Sequence, residues 1–304
     1  MAVSSPPPAP ESRRFRTRSS SPSGPIAEGG NSIHSKAMAL SFRLTSYNVL
    51  AGAYATRRLY PEVAPELLEW SRRAPAIVAR IVGLAPDVAC LQEVEASAWP
   101  GLEAAFARHG WQSVFAAKGR GRPDGCTLLF RDGALRFVGS EALHFDDGEN
   151  GAEASGHLAL IGTFMSDAGV LRIAGTHLRW QAATAQVEAH IGYRQALQLV
   201  EHCEAMRPPA FATVVSGDFN APPDSAVAHL FAQRGLADAY AAAPQPTCSP
   251  NRRATRIDYI VATGALVATP HRLLAIDNAT TLPSPSEPSD HLPITATLAV
   301  AAPR

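Results

Sequence analysis

Val214–Ser225 reads VVSGDFNAPPDS. An apolar β-branched run gives way, within two residues of a glycine, to an acid, an aromatic, an amide and two prolines. A strand buried by its Val residues has no local use for a carboxylate at its end, because a buried charge is costly unless it is paired or binds a cation. On an extended chain Asp218 and Asn220 project to one side and Phe219 to the other, so the strand is expected to deliver an acid and an amide together and to bury the ring between them. Pro222 and Pro223 are expected to end the strand.

The same grammar recurs along the chain. Asn48 follows LTSY, Gln92 and Glu93 follow VACL, His177 follows RIAGT, Asp258 follows TRI, and Asp290 and His291 precede LPITATL. Any one of these has a dull explanation, since Asx residues cap turns and helices. Four acids at the ends of apolar runs are better explained by convergence on one cation. Carboxylates and amides without a cysteine pair suit hard Mg²⁺ or Mn²⁺, and no histidine spacing typical of a zinc site is present. A hard cation that also holds a phosphate oxygen makes phosphoryl chemistry the leading reaction class.

Periodicity places these residues on a mixed α/β framework. Phe42–Leu50, Pro86–Val94, Cys126–Arg131, Ala212–Asn220, Arg256–Ala262 and Ile294–Val300 read as strands, and Leu158–Ser166 with Val170–Leu178 as a hairpin around Asp167–Gly169. Glu66–Leu84 carries a helical stripe expected to break at Pro75, and Gln186–Met206 a second helix. Strands and helices mix without strict alternation, so two packed sheets with helices outside are expected.

The chain has 304 residues, 46% hydrophobic and 18% charged, and carries no formal net charge. No global positive field favours tight duplex binding. Residues 1–38 hold five of the 27 basic and two of the 27 acidic residues, which leaves the remainder at −3. That Ser/Pro/Arg-rich segment is expected to be a disordered tail, with organelle targeting as the alternative, and residues 39–304 to be the catalytic domain. Four unpaired cysteines point to a reducing, cytoplasmic setting. No apolar run is long enough to span a membrane. The basic stretch AAKGRGRPDG, with Lys118, Arg120 and Arg122, reads as a solvated loop, with a phosphate-tracking loop as the alternative.

SYNVL, LQEVE, DGCTLLFR, THLRW, SGDFNAPPDS, RIDYIV and SDHLPI stand in the order of the endonuclease/exonuclease/phosphatase family. SYNVLAGAYA and the stretch from Leu59 to Glu95 resemble its deadenylase-type branch, the group of carbon catabolite repressor nucleases, nocturnin and the angel proteins. The resemblance covers residues 41–300. It implies a four-layered α/β sandwich of two packed mixed β-sheets flanked by helices, with the active site at one sheet edge. It also implies roles. Glu93 is the main ligand of a Mg²⁺ or Mn²⁺ ion, with Asn48 beside it and Asp290 supporting the metal site. Asp218 orients or deprotonates the attacking water, and Asn220 contacts phosphate and metal. His291 contacts the scissile phosphate, His177 holds the phosphate or protonates the leaving oxygen, and Asp258 orients a histidine. The implied activity is hydrolysis of phosphodiester bonds in single-stranded RNA 3′ ends or nucleotides by a monomer. A nucleotide or dinucleotide phosphatase is the alternative, and an inactive binding module a further one.

Overall fold

The computed structural model describes residues 40–148, 153–182 and 186–301. The expected tail and its boundary at residue 38 lie outside the described residues. Among the described residues, twelve strands form two six-stranded sheets. The first sheet contains β1 (Ser41–Asn48), β2 (Val88–Glu95), β3 (Gln112–Ala117), β4 (Asp124–Phe130), β11 (Leu266–Pro270) and β12 (Ile294–Val300), in the order β11-β12-β1-β2-β4-β3. The second contains β5 (Arg136–His144), β6 (Leu158–Ser166), β7 (Gly169–His177), β8 (Ala212–Asp218), β9 (Leu236–Asp238) and β10 (Asp258–Thr263), in the order β5-β6-β7-β8-β10-β9. The second sheet is thus one continuous stretch of chain, inserted between β4 and β11 of the first. Both sheets are mixed: β1–β2 and β7–β8 run parallel, and the other pairs antiparallel.

Strands buried on both faces carry near-continuous apolar runs, and alternation then decides which face each side chain serves. Phe42, Leu44, Val88, Cys90 and Leu128 of the first sheet meet Leu160, Phe164, Leu171, Ile173, Val214 and Ile260 of the second in the central core. The sheets approach so closely that a Cβ at Gly175 would lie 3.0 Å from Cβ of Cys90. Tyr47, Ala89 and Leu91 face outward instead, under α2 (Trp70–Leu84) and α3 (Trp99–Ala107). On the far side, Ile161, Ala174, Val215 and Phe219 pack under α4 (Ile191–Ala205) and α5 (Ala226–Gln233). The result is the expected four layers of helices, sheet, sheet and helices.

Two local expectations need correction. The helical stripe does not break at Pro75. A short α1 (Pro65–Leu68) ends at the extended Glu69, and α2 then runs through Pro75. Pro75 sits on the exposed face early in α2, where losing one backbone donor does not stop the helix. The second predicted helix starts later than its apolar pattern. Val187–Ala189 form a 3₁₀ turn, and α4 begins only after His190, whose side chain caps Tyr193 N. β2, expected over Pro86–Val94, runs from Val88 to Glu95 and carries a bulge between Leu91 and Val94.

Candidate active site

Register explains why distant acids meet. Asp218, the last residue of β8, lies opposite His177, the last of the parallel β7, and opposite Asp258, the first of the antiparallel β10. Three neighbouring strands therefore place three polar side chains in one row. The row demands glycine beside it: a Cβ at Gly217 would sit 1.8 Å from the Thr176 carbonyl oxygen. In the first sheet, Asn48 ends β1, and Glu93 sits in the β2 bulge with φ +57°. A bulge re-aims one side chain at a local conformational cost, and here the re-aimed chain is the acid.

Asn48 joins the two sheets. Its Nδ2 donates to Glu93 Oε1 at 3.0 Å and to Asp218 Oδ2 at 3.1 Å, while its Oδ1 accepts from Leu50 N. Glu93 Oε2 accepts from Ala51 N at 3.0 Å. Asp290 reaches the cluster from the loop before β12 and accepts from the Tyr60 hydroxyl at 2.7 Å. Next to it, His291 donates Nδ1–H to Asp258 at 2.9 Å, and its Nε2 lies 3.7 Å from Asp218 Oδ2. Thr247 donates to the same Asp258 oxygen at 2.6 Å. The structure thus brings all eight singled-out residues, Asn48, Glu93, His177, Asp218, Asn220, Asp258, Asp290 and His291, to one edge of the paired sheets. Gln92, noted beside Glu93, turns away and donates to Ser46 and to the Cys90 carbonyl.

Asn220 arrives by a different route from the expected one. The strand ends at Asp218, and Asn220 takes a left-handed conformation with φ +51°. Its backbone N donates to Asp218 Oδ1 at 2.8 Å, so an Asx turn, not an extended chain, sets the two side chains together. Phe219 is buried as expected, stacked between Phe231 and Tyr259.

Lys118, expected in a solvated loop with a phosphate-tracking loop as the alternative, joins the site. The basic stretch is not simply a solvated loop: Lys118 is buried, paired with Asp124 at 2.6 Å, and its Nζ lies 3.2 Å from His177 Nδ1. Arg120 does sit outside, paired with Glu153. Asn220 Nδ2 lies 3.0 Å from the other ring nitrogen, Nε2 of His177. A neutral imidazole offers only one lone pair in its plane. His177 can therefore satisfy Lys118 or Asn220 but not both, and one donor is left for an incoming anion.

Charge is crowded here. Burial and the facing Asp290 raise the Glu93 carboxyl. Burial, with Asp258 adding to it, pushes Asp218 up to about 7 against the pull of His291. Burial works against a charged His291, yet Asp258, Asp290 and Asp218 together hold it well above the ordinary histidine range. Burial and Lys118 hold His177 neutral.

A hard divalent cation fits the oxygen-rich group, because it would relieve the repulsion between Glu93 and Asp290. A different trio, Cys248, Asp258 and His291, also brings ligand atoms within 4.8 Å of one another. It is a poor metal site. Burial and the nearby carboxylates keep the Cys248 thiol protonated, and Asp258 already occupies His291 Nδ1.

Two sheets meeting over a polar edge of carboxylates, amides and histidines point to the class of phosphoester hydrolases. Residues 45–291 match the family described as "Endonuclease/Exonuclease/phosphatase family", and the chain belongs to it. It is 24% identical over 236 residues to the CCR4-Not complex 3'-5'-exoribonuclease subunit Ccr4 of Candida glabrata, covering 68% of this chain and 27% of that protein. It is 26% identical over 217 residues to Protein angel of Drosophila melanogaster, covering 68% of this chain and 60% of that protein. The chain spans between a quarter and a third of the first curated relatives it matches. Among solved structures, ANGEL2, a 2',3'-cyclic phosphatase, superposes with a TM-score of 0.75 at 20% identity, covering 86% of this chain and 96% of that one. The human Nocturnin catalytic domain gives 0.67 at 25% identity, covering 87% and 97%.

Proposed function

We propose that this chain is a Mg²⁺- or Mn²⁺-dependent phosphoric ester hydrolase that cleaves phosphodiester bonds at RNA 3′ ends or in nucleotides by in-line attack of water. One observation carries the proposal: four carboxylates from both sheets converge with two amides and two histidines on one edge. An inactive binding module would have no use for Glu93 and Asp290 held against each other. The RNA substrate class is supported by the names of the exoribonuclease relatives.

Glu93, Asn48 and Asp290 would hold the cation, which would polarise a phosphate oxygen. Asp218, raised towards neutrality and fixed by Asn48 and the Asn220 backbone, would orient the water and take its proton. Asp258 holds the His291 ring through Nδ1, and the Nε2–H of that ring would contact the phosphate. Asn220 and Lys118 would turn their N–H donors from His177 to the same phosphate, and His177 would serve the phosphate or the leaving oxygen.

A second reading, a small-molecule phosphatase, is supported by the structural likeness to ANGEL2, solved with adenosine-2',3'-vanadate. One panel separates the readings: oligo(A), mixed RNA, single-stranded DNA, NADPH and inositol phosphates, each with Mg²⁺ and with Mn²⁺. Shortening of RNA supports the first. Release of phosphate from small molecules alone supports the second, and no turnover on any of them rejects both.

A further inference from the structure

Beside His177 and Asn220 lies a cavity of about 280 Å³, lined also by Tyr54, Lys118, Arg122, His157, Arg179 and Trp180. Three cations make it hospitable to phosphate. His157 does not fit that description. It is 4% exposed, and its ring stands at 82° to that of His177, with centroids 5.9 Å apart.

The protons on His157 can be assigned from its partners. Ser155 Oγ donates to Asp147 Oδ2, because a carboxylate can only accept. Having spent its proton there, Ser155 Oγ must accept from His157 Nδ1, 2.8 Å away. Gln195 Nε2 donates to both Ser155 Oγ and Asp147 Oδ2, which fixes that arrangement. Burial, reinforced by Lys118, Arg122 and Arg179, lowers His157 to about 2, so the ring is neutral. Its one proton is on Nδ1. Nε2 has no hydrogen-bond partner among the described residues, and it carries a bare lone pair.

A phosphate oxygen cannot bond to a lone pair. In this otherwise cationic cavity Nε2 is an acceptor, and it wants a donor carried close to a phosphate. In a nucleotide the donors nearest the phosphate are the hydroxyls of the sugar, the N–H groups of the base lying further off.

We propose that His157 accepts a hydrogen bond from a ribose hydroxyl of the substrate, so that this cavity distinguishes ribonucleotides from deoxyribonucleotides. The inference rests on the phosphoester reading of the neighbouring site and adds to it the sugar that the site reads. His157 would act as a specificity residue, held in its tautomer by Asp147, Ser155 and Gln195.

The test is calorimetric titration in excess chelator with AMP, 2′-deoxy-AMP and 3′-deoxy-AMP, on the unaltered protein, His157→Asn and His157→Gln. Asn keeps an N–H for Ser155 but offers nothing to the cavity, whereas Gln can place an oxygen near the Nε2 position. One neutral hydrogen bond predicts about fivefold weaker binding of one deoxy ligand by the unaltered protein. His157→Asn should bind AMP about fivefold more weakly and lose the discrimination, and His157→Gln should keep part of it. The deoxy ligand that suffers identifies the hydroxyl. Failure of AMP to bind, equal binding of all three ligands, or unchanged discrimination in His157→Asn overturns the inference. Hydrolysis is assayed separately with Mg²⁺. Absence of turnover on every phosphoester would reject the proposed function, while the titrations still decide the role of His157.

Discussion

Asp218 is the residue whose chemistry most of the site serves. It receives bonds from the Asn48 amide and the Asn220 backbone and faces His291, and its carboxyl stands at about 7. General-base help is worth roughly 10²–10⁴-fold, so Asp218→Asn should fold normally and lose turnover by about that factor. The loss should be equal on a natural nucleotide and on a nitrophenyl ester. His177→Ala, if the ring serves the leaving oxygen, should be hurt less on the nitrophenyl ester. Equal losses would make it a phosphate holder. Asp218 and Asp258 were legible in the sequence because an acid closing or opening an apolar strand has few other reasons to exist. Lys118 was not, because a lysine among glycines and arginines has the composition of a solvated loop, and only the tertiary partner Asp124 shows otherwise. Tyr60 and His157 were hidden for a related reason: Tyr60 bonds to Asp290 and the His157 ring stands against His177, both far away in sequence, and neither contact leaves a local pattern.

At the scale of elements, the site depends on α2 through one side chain. Arg73 is fully buried, and its guanidinium donates to the carbonyls of Val49 at 2.9 Å, Leu50 at 2.7 Å and Pro288 at 3.2 Å. These carbonyls flank Asn48 on one side and Asp290 on the other, and Leu50 holds a left-handed conformation with φ +55°. Arg73→Met should leave those oxygens unpaired and cost about 3 kcal/mol of stability. It should also raise the metal concentration needed for half activity. Chemical denaturation and a metal titration check the two effects, and a stable variant with unchanged metal demand would confine Arg73 to packing. Eight strands were readable from apolar runs, but β3, β5, β9 and β11, shorter or more exposed, were not. Nor were the β2 bulge and the Asx turn at Asn220. Both depend on single residues with positive φ, which hydrophobic periodicity does not encode.

For the whole molecule, a cation held by Asn48, Glu93 and Asp290 should be felt as stability. A ligand at a hundred times its dissociation constant adds about 2.7 kcal/mol, or about 5–10 °C in thermal midpoint for a domain of this size. Mg²⁺ should produce such a rise in the unaltered protein, and Glu93→Gln should lose most of it. A midpoint indifferent to Mg²⁺ would count against the site. Removal of residues 1–38 should leave activity intact, since the first residue of the proposed site is Asn48; loss of turnover on truncation would place the domain boundary elsewhere.

The inserted arrangement of the sheets also governs how the molecule can be made. β1 pairs with β12, and Asp290 and His291 come just before that strand. During synthesis the second sheet has all its strands once β10 has left the ribosome, whereas β1 must wait with an open edge for the last strand in the chain. A prematurely terminated product that lacks β12 would leave Asp290 and His291 without the strand that anchors them and β1 with an unpaired edge. It would be a substrate for chaperones and proteases, not a slow enzyme.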